Sequence, residues 1–132
     1  MKVLVIDGQG GKMGREIIES LLLSDKELEI TAVGTNSMAT ANMIKGGAVQ
    51  AATGENAVIV GARRADVIVG PMGIVIADSL LGEITPAMAV AVGQSSAKKV
   101  LIPVSRCGTV IAGASGSTGE LIKKAVEEII KL

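Results

Sequence analysis

Short runs rich in Val and Ile alternate along the chain with helical patterns, and Gly, Asn or Pro separates one from the next. That alternation is the signature of repeated βα units, which close into a mostly parallel sheet with helices on both faces. The strands expected in the main sheet are Lys2 to Asp7, Glu29 to Val33, Ala48 to Ala52, Asp66 to Val69 and Lys99 to Val104, with Val110 to Ala112 as a sixth. Hydrophobic residues make up 48% of the 132, yet none is Phe, Trp or Tyr, so Val, Ile, Leu, Met and Ala must fill the core. Branched aliphatics without aromatics favour a parallel sheet buried on both faces. A chain of this length buries about two-thirds of its unfolded surface in one core, so residues 1–132 are expected to form one domain.

The helices between the strands carry their own punctuation. The first is expected to bury Ile17, Ile18, Leu21 and Leu22, and the last carries a stripe of Leu121, Ile122, Ala125, Val126, Ile129 and Ile130 behind the capping-box pair Ser117 and Glu120. Between them, Ser37 to Lys45 stops at Gly46 and Gly47, Ala57 to Arg64 follows Asn56 as a cap, and Thr85-Pro86 opens a helix that Gly93 ends. Ile74 to Leu81 is expected to form a further short helix.

Several functions are excluded early. Thirteen basic and thirteen acidic side chains cancel, and the missing aromatics remove the usual stacking platforms, so nucleic acid is not an expected partner. No apolar run approaches the roughly 20 residues that span a bilayer, and the first residues run straight into a strand without a signal-peptide pattern. A cytoplasmic protein is expected. With no His and one Cys, the chain offers neither an internal disulfide nor a Cys/His zinc site, and no metal is expected. Proton chemistry would fall to Asp, Glu, Lys or Cys.

The strongest functional signal is Val5-Ile6-Asp7-Gly8-Gln9-Gly10-Gly11-Lys12-Met13-Gly14, a glycine-rich turn between a predicted strand and an amphipathic helix. Glycine lets the backbone turn sharply and approach a phosphate closely, while the free N–H groups and dipole of the following helix attract the anion. Gly8, Gln9, Gly10, Gly11, Lys12 and Met13 are therefore the expected phosphate contacts, and Gly14 is expected to let the helix pack on the strand. These features together define a three-layer Rossmann-like domain. The segment Asp7 to Glu16 is similar to the opening of dihydrodipicolinate reductase, but the chain ends before any substrate domain and has no histidine, so reductase activity does not follow.

Two departures complicate a dinucleotide. The second strand ends in Val33-Gly34-Thr35-Asn36 rather than in the Asp or Glu that accepts ribose hydroxyls, which leaves Thr35 and Asn36 as the expected ribose contacts. Asp7 repels a diphosphate unless a cation intervenes or its side chain turns away. Among the other loops at the carboxyl edge, Gly70-Pro71-Met72-Gly73 contributes Gly70 to the expected pocket, and Arg106 beside Cys107 is the best placed cation for a ligand's phosphate. A lone Cys without a base reads as structural, Arg63 and Arg64 suit a helix C-terminus, and Glu83 reads as surface charge. No catalytic residue is assigned.

Across nearly all of its length the chain resembles a domain-of-unknown-function family of small Rossmann-like proteins from anaerobic Gram-positive bacteria. The resemblance lies in Val5 to Gly11, Val33 to Asn36, Ala52 to Ala57, Leu81 to Pro86 and Lys99 to Pro103. It implies a bacterial, cytoplasmic, stand-alone protein, and it implies no activity. The expectation is a nucleotide-binding protein with NAD or NADP at the Gly8 to Gly14 turn, self-associating because no partner domain covers its apolar helix surface. The alternative is a non-catalytic sensor or scaffold that binds a mononucleotide or phosphometabolite.

Overall fold

In the computed structural model, which describes residues 1–104 and 108–132, the strands are β1 (Lys2–Asp7), β2 (Glu29–Gly34), β3 (Gln50–Thr53), β4 (Val67–Pro71) and β5 (Lys98–Ile102). They form one parallel sheet in the order β3-β2-β1-β4-β5. The helices are α1 (Lys12–Leu22), α2 (Ser37–Lys45), α3 (Glu55–Arg64), α4 (Pro86–Gln94) and α5 (Thr118–Ile130), with a 3₁₀ turn at Met72–Val75. The expected α/β three-layer architecture is the observed one.

Strand β1 shows why the core needs no aromatic residue. Val3 and Val5 point into one layer with Ile17, Ile18 and Leu21 of α1, Met43 of α2 and Ile122, Val126 and Ile129 of α5. The alternate residues Leu4 and Ile6 point into the other, against Val58 and Ala62 of α3 and Met88 and Val92 of α4. Period-2 alternation sends β-branched and γ-branched side chains to both faces, and helices cover both.

The winding fixes where a ligand can enter. From β1 the chain steps outward through α1, β2 and α2 to the edge strand β3, then α3 returns it to β4 on the other side of β1. Right-handed crossovers running in opposite directions put α1 and α2 on one face and α3 and α4 on the other. The loops leaving β1 and β4 therefore diverge and open a crevice between them.

The structure revises several local expectations. No strand follows β5 among the described residues; 109–112 run without ladder bonds. Ile74 to Leu81 is not an α-helix: the 3₁₀ turn gives way to a left-handed turn, with φ of 66° at Asp78, 55° at Leu80 and 56° at Leu81. Asn56 lies inside the first turn of α3, whose N-cap is Gly54, and α4 runs past Gly93 to Gln94. Leu22 and Ile130 fall at the margins of their apolar stripes and are 53% and 38% exposed. The strand ends shift by a few residues because the partner strand sets them; β3, for instance, pairs from Thr31–Gln50 to Gly34–Thr53.

Candidate functional site

The turn after β1 is held open from beneath by Asp7. Its carboxylate is 6% exposed and accepts the Gly8 N–H through Oδ1 at 2.8 Å and the Gly14 N–H through Oδ2 at 2.7 Å. It thereby does for α1 what a capping side chain does, since the N-cap position is Gly11 and offers none. Burial raises the Asp7 pKa above its ordinary value, the two backbone N–H groups oppose that rise, and the charge of Glu83 adds to it. Turned toward the backbone of its own turn, the carboxylate is paired through both oxygens. Gly11 has φ of 74°, and a Cβ there would lie 2.6 Å from the Ala39 carbonyl oxygen, so this position requires glycine.

Counting backbone donors through the turn separates the spent from the open. Gly8 and Gly14 donate to Asp7, Gly11 donates to the Gly8 carbonyl at 2.9 Å, and Gln9 donates to Glu83 at 3.0 and 3.2 Å. The N–H groups of Gly10, Lys12 and Met13 have no partner among the described residues, and all three residues line one cleft of about 810 Å³. The cleft lies between the carboxyl ends of β1 and β4, is floored by Pro71–Gly73, and is bounded on its far side by the start of α5.

Sequence alone reads Glu83 as surface charge, and the structure corrects this. Besides the Gln9 N–H, its carboxylate accepts the Thr35 hydroxyl at 2.7 Å and the Asn36 amide at 2.5 Å. Burial works against the charge, but the hydrogen bonds from Thr35, Asn36 and the Gln9 N–H outweigh it and hold the Glu83 pKa below its ordinary value. Asn36 is also the N-cap of α2, accepting the Ala39 N–H at 2.9 Å, and its amide reaches the Gln9 carbonyl. Thr35 and Asn36 thus stand at the end of β2 as expected, but they hydrogen-bond the half-buried Glu83 carboxylate and do not line the cleft. Nothing local announces this: Glu83 lies 74 residues from Gln9 in sequence, and the turn that delivers it passes through Leu80 and Leu81, residue types that give no sign of a left-handed backbone.

The remaining expected site residues divide. Gly8 through Met13 all line the cleft. Gly70 sits within β4 and does not line the cleft; a Cβ there would collide with the Ile6 carbonyl oxygen, so its lack of a side chain serves the β1–β4 approach. Arg106 and Cys107 lie outside the described residues. Asp78, Glu16 and Lys12 are the charged residues that join Asp7 around the cleft, and no group of three possible metal-ligating side chains occurs among the described residues.

Fold and site together define a Rossmann-like α/β protein with a polar crevice at the topological switch point between β1 and β4. The chain belongs to the family described as a domain of unknown function, DUF3842, whose profile matches residues 2–132. No curated protein matches it. Among solved structures it is similar to a dodecameric FMN-dependent UbiX-like decarboxylase from Escherichia coli O157:H7, at 18% identity and a TM-score of 0.50, over 98% of this chain and 76% of that one. At that identity the likeness bears on the fold alone. No helix of the described residues is long and apolar enough to cross a membrane.

Proposed function

We propose that the chain binds a nucleotide by its phosphate in the cleft between β1 and β4. The observation that carries this reading is the row of backbone donors at Gly10, Lys12 and Met13 that have no partner among the described residues and line a cleft of about 810 Å³ at the start of α1. Backbone N–H groups at a helix N-terminus stabilise an anion through their partial charge, and the Lys12 ammonium adds a full one. The volume lies within the roughly 300–1,000 Å³ of small-molecule sites. NAD and NADP, the ligands expected from sequence, and FMN, the cofactor of the E. coli decarboxylase, are the compounds to test first.

Binding without turnover is the simpler form of this function. The chain has no His or Tyr, and among the described residues Lys12 and the carboxylates of Asp78 and Glu16 are the cleft's candidates for proton transfer besides the buried Asp7.

The test is thermal melting of the chain and of Gly10→Asp with NAD, NADP, FMN and AMP. A Cβ at Gly10 meets nothing within 4 Å, so the substitution places a carboxylate beside the open donors without a clash. A ligand at about one hundred times its Kd stabilises the natural chain by about 2.7 kcal/mol, and Gly10→Asp should lose most of that gain. Equal shifts in both proteins, or none with any of the compounds, would refute the assignment.

A further inference from the structure

We propose that the Glu83 carboxylate accepts the 2′- and 3′-hydroxyls of the ligand's ribose, so that the site takes a ribonucleotide with a free vicinal diol and disfavours one phosphorylated at O2′. The inference rests on the phosphate reading above and deepens it by assigning the sugar. In an open sheet wound as this one is, a nucleotide's phosphate sits on the first turn and its ribose against the end of the second strand, where an Asp or Glu accepts the hydroxyls. Strand β2 and the residues after it read Val33-Gly34-Thr35-Asn36 and supply no such group. Glu83, from the loop after β4, is brought to that place, where it accepts the Thr35 hydroxyl at 2.7 Å and the Asn36 amide at 2.5 Å.

The two oxygens of this carboxylate are unequally used. Oε1 takes the Thr35 hydroxyl, the Asn36 amide and the nearer leg of the Gln9 N–H at 3.0 Å, whereas Oε2 takes only the longer leg of that same N–H at 3.2 Å. A carboxylate offers about four lone-pair sites, so Oε2 keeps room for hydroxyl donors. The residue is half-buried, and among the described residues no ammonium or guanidinium pairs with it. A fixed carboxylate that no cation neutralises attracts hydroxyl hydrogens and repels a 2′-phosphate. Thr35 and Asn36, the ribose contacts expected from sequence, are then positioning residues: their donors hold Oε1 and leave Oε2 to the ligand.

Glu83 stands at the rim of the cleft, beside its lining. Gln9, whose N–H fixes the carboxylate, lines the cleft, as does Leu80 on the loop that carries Glu83. Gly10, the first of the open donors, follows Gln9 directly, about 3.8 Å away between Cα atoms. A ribose joined to its 5′-phosphate through one methylene bridges such a step. The acceptor is also prepositioned. Its left-handed turn is closed by Asp78 N–H to the Ile84 carbonyl at 2.7 Å and by Ile84 N–H to the Ser79 carbonyl at 3.2 Å, and Ile84 is 1% exposed in the layer beneath α4. On the other side, Thr35 N–H donates to the Asp7 carbonyl at 3.0 Å and the Asn36 amide to the Gln9 carbonyl at 2.9 Å, which ties the end of β2 to the phosphate turn.

Calorimetric titration of the full chain, Glu83→Ala and Glu83→Gln with AMP, its 2′,3′-dideoxy analogue, NAD and NADP tests this. The natural chain should bind AMP about tenfold more tightly than the dideoxy analogue, and NAD about tenfold more tightly than NADP, as hydrogen bonds to a charged group require. Glu83→Ala should bring the ratio of AMP to dideoxy affinity to about one and change the affinity for the dideoxy analogue itself by less than about twofold, because that compound reaches only the phosphate donors. Glu83→Gln keeps the shape and removes the charge, and should erase the preference for NAD over NADP; it serves alone if the alanine variant fails to fold. Equal binding of AMP and the dideoxy analogue by the natural chain overturns the inference and leaves the phosphate site standing. So does a preference that survives in the folded variants, or a fall in both affinities with their ratio unchanged, which is what a merely structural role would give. No binding of any of these compounds by any of the proteins overturns both readings.

Discussion

At the scale of single residues, two carboxylates with opposite pKa shifts share the turn after β1. Glu83 is held below its ordinary value of 4.5, so the folded chain gives up that proton more readily than the unfolded one. Its contribution to stability is present above about pH 4.5 and is lost as pH falls through the lowered folded value. Asp7, raised by burial, acts in the opposite direction, since its ionisation costs the folded state stability that acidification returns. The melting-temperature gap between the natural chain and Glu83→Gln should therefore be widest near neutral pH and narrow below pH 4.5; a gap independent of pH would show that the Glu83 charge plays no part. The glycines divide as sharply. A Cβ at Gly14 would lie 2.5 Å from Met43 Sδ and 2.9 Å from Asp7 Cβ, so Gly14→Ala should cost ~1–3 kcal/mol in urea unfolding, whereas Gly10→Ala, with open space around it, should cost under about 0.5 kcal/mol. The glycine turn was legible because its chemistry is contiguous. Glu83 was not, because its partners lie 74 residues away at Gln9 and 48 at Thr35, and no local pattern carries such a contact.

At the scale of elements, the legible features are those whose hydrogen bonds close within one turn. Thr85 and Ser117 each accept the N–H three residues on, and both helix starts were readable from the cap residue and its next few neighbours. Ser117→Ala should lower stability by about 1 kcal/mol, seen as a lower urea midpoint at unchanged slope, and an unchanged midpoint would mean that α5 does not depend on its cap. Where backbone conformation ran against residue type, sequence reading failed. The apolar run Ile74 to Leu81 suits a helix by pattern, yet Asp78, Leu80 and Leu81 take positive φ there, in a turn held by its own backbone bonds and by the burial of Ile84. Tertiary packing overrode local preference in the segment that delivers Glu83.

At the scale of the whole molecule, the winding order gathers the carboxyl-edge loops after β1, β4 and β5 around one crevice, and a crevice at that edge was legible from the alternation of strands and helices. The edge was less so. Strand β3 is exposed along all four residues, and Leu23 and Val49 near that side are 87% and 94% exposed. We expect the chain to self-associate across such surface, with sedimentation at micromolar concentration giving a dimer or larger species; only the 13.3 kDa monomer would exclude it. Amide NMR reads the donors at the crevice one by one. Titrating the ¹⁵N-labelled chain with FMN or AMP should move the Gly10, Lys12 and Met13 amide resonances most, and leave those of Gly8 and Gly14, already bonded to Asp7, nearly still. Saturating ligand that leaves the three open amides unmoved, or that shifts resonances around Arg64 on the opposite side of the sheet, would contradict a phosphate site at this turn.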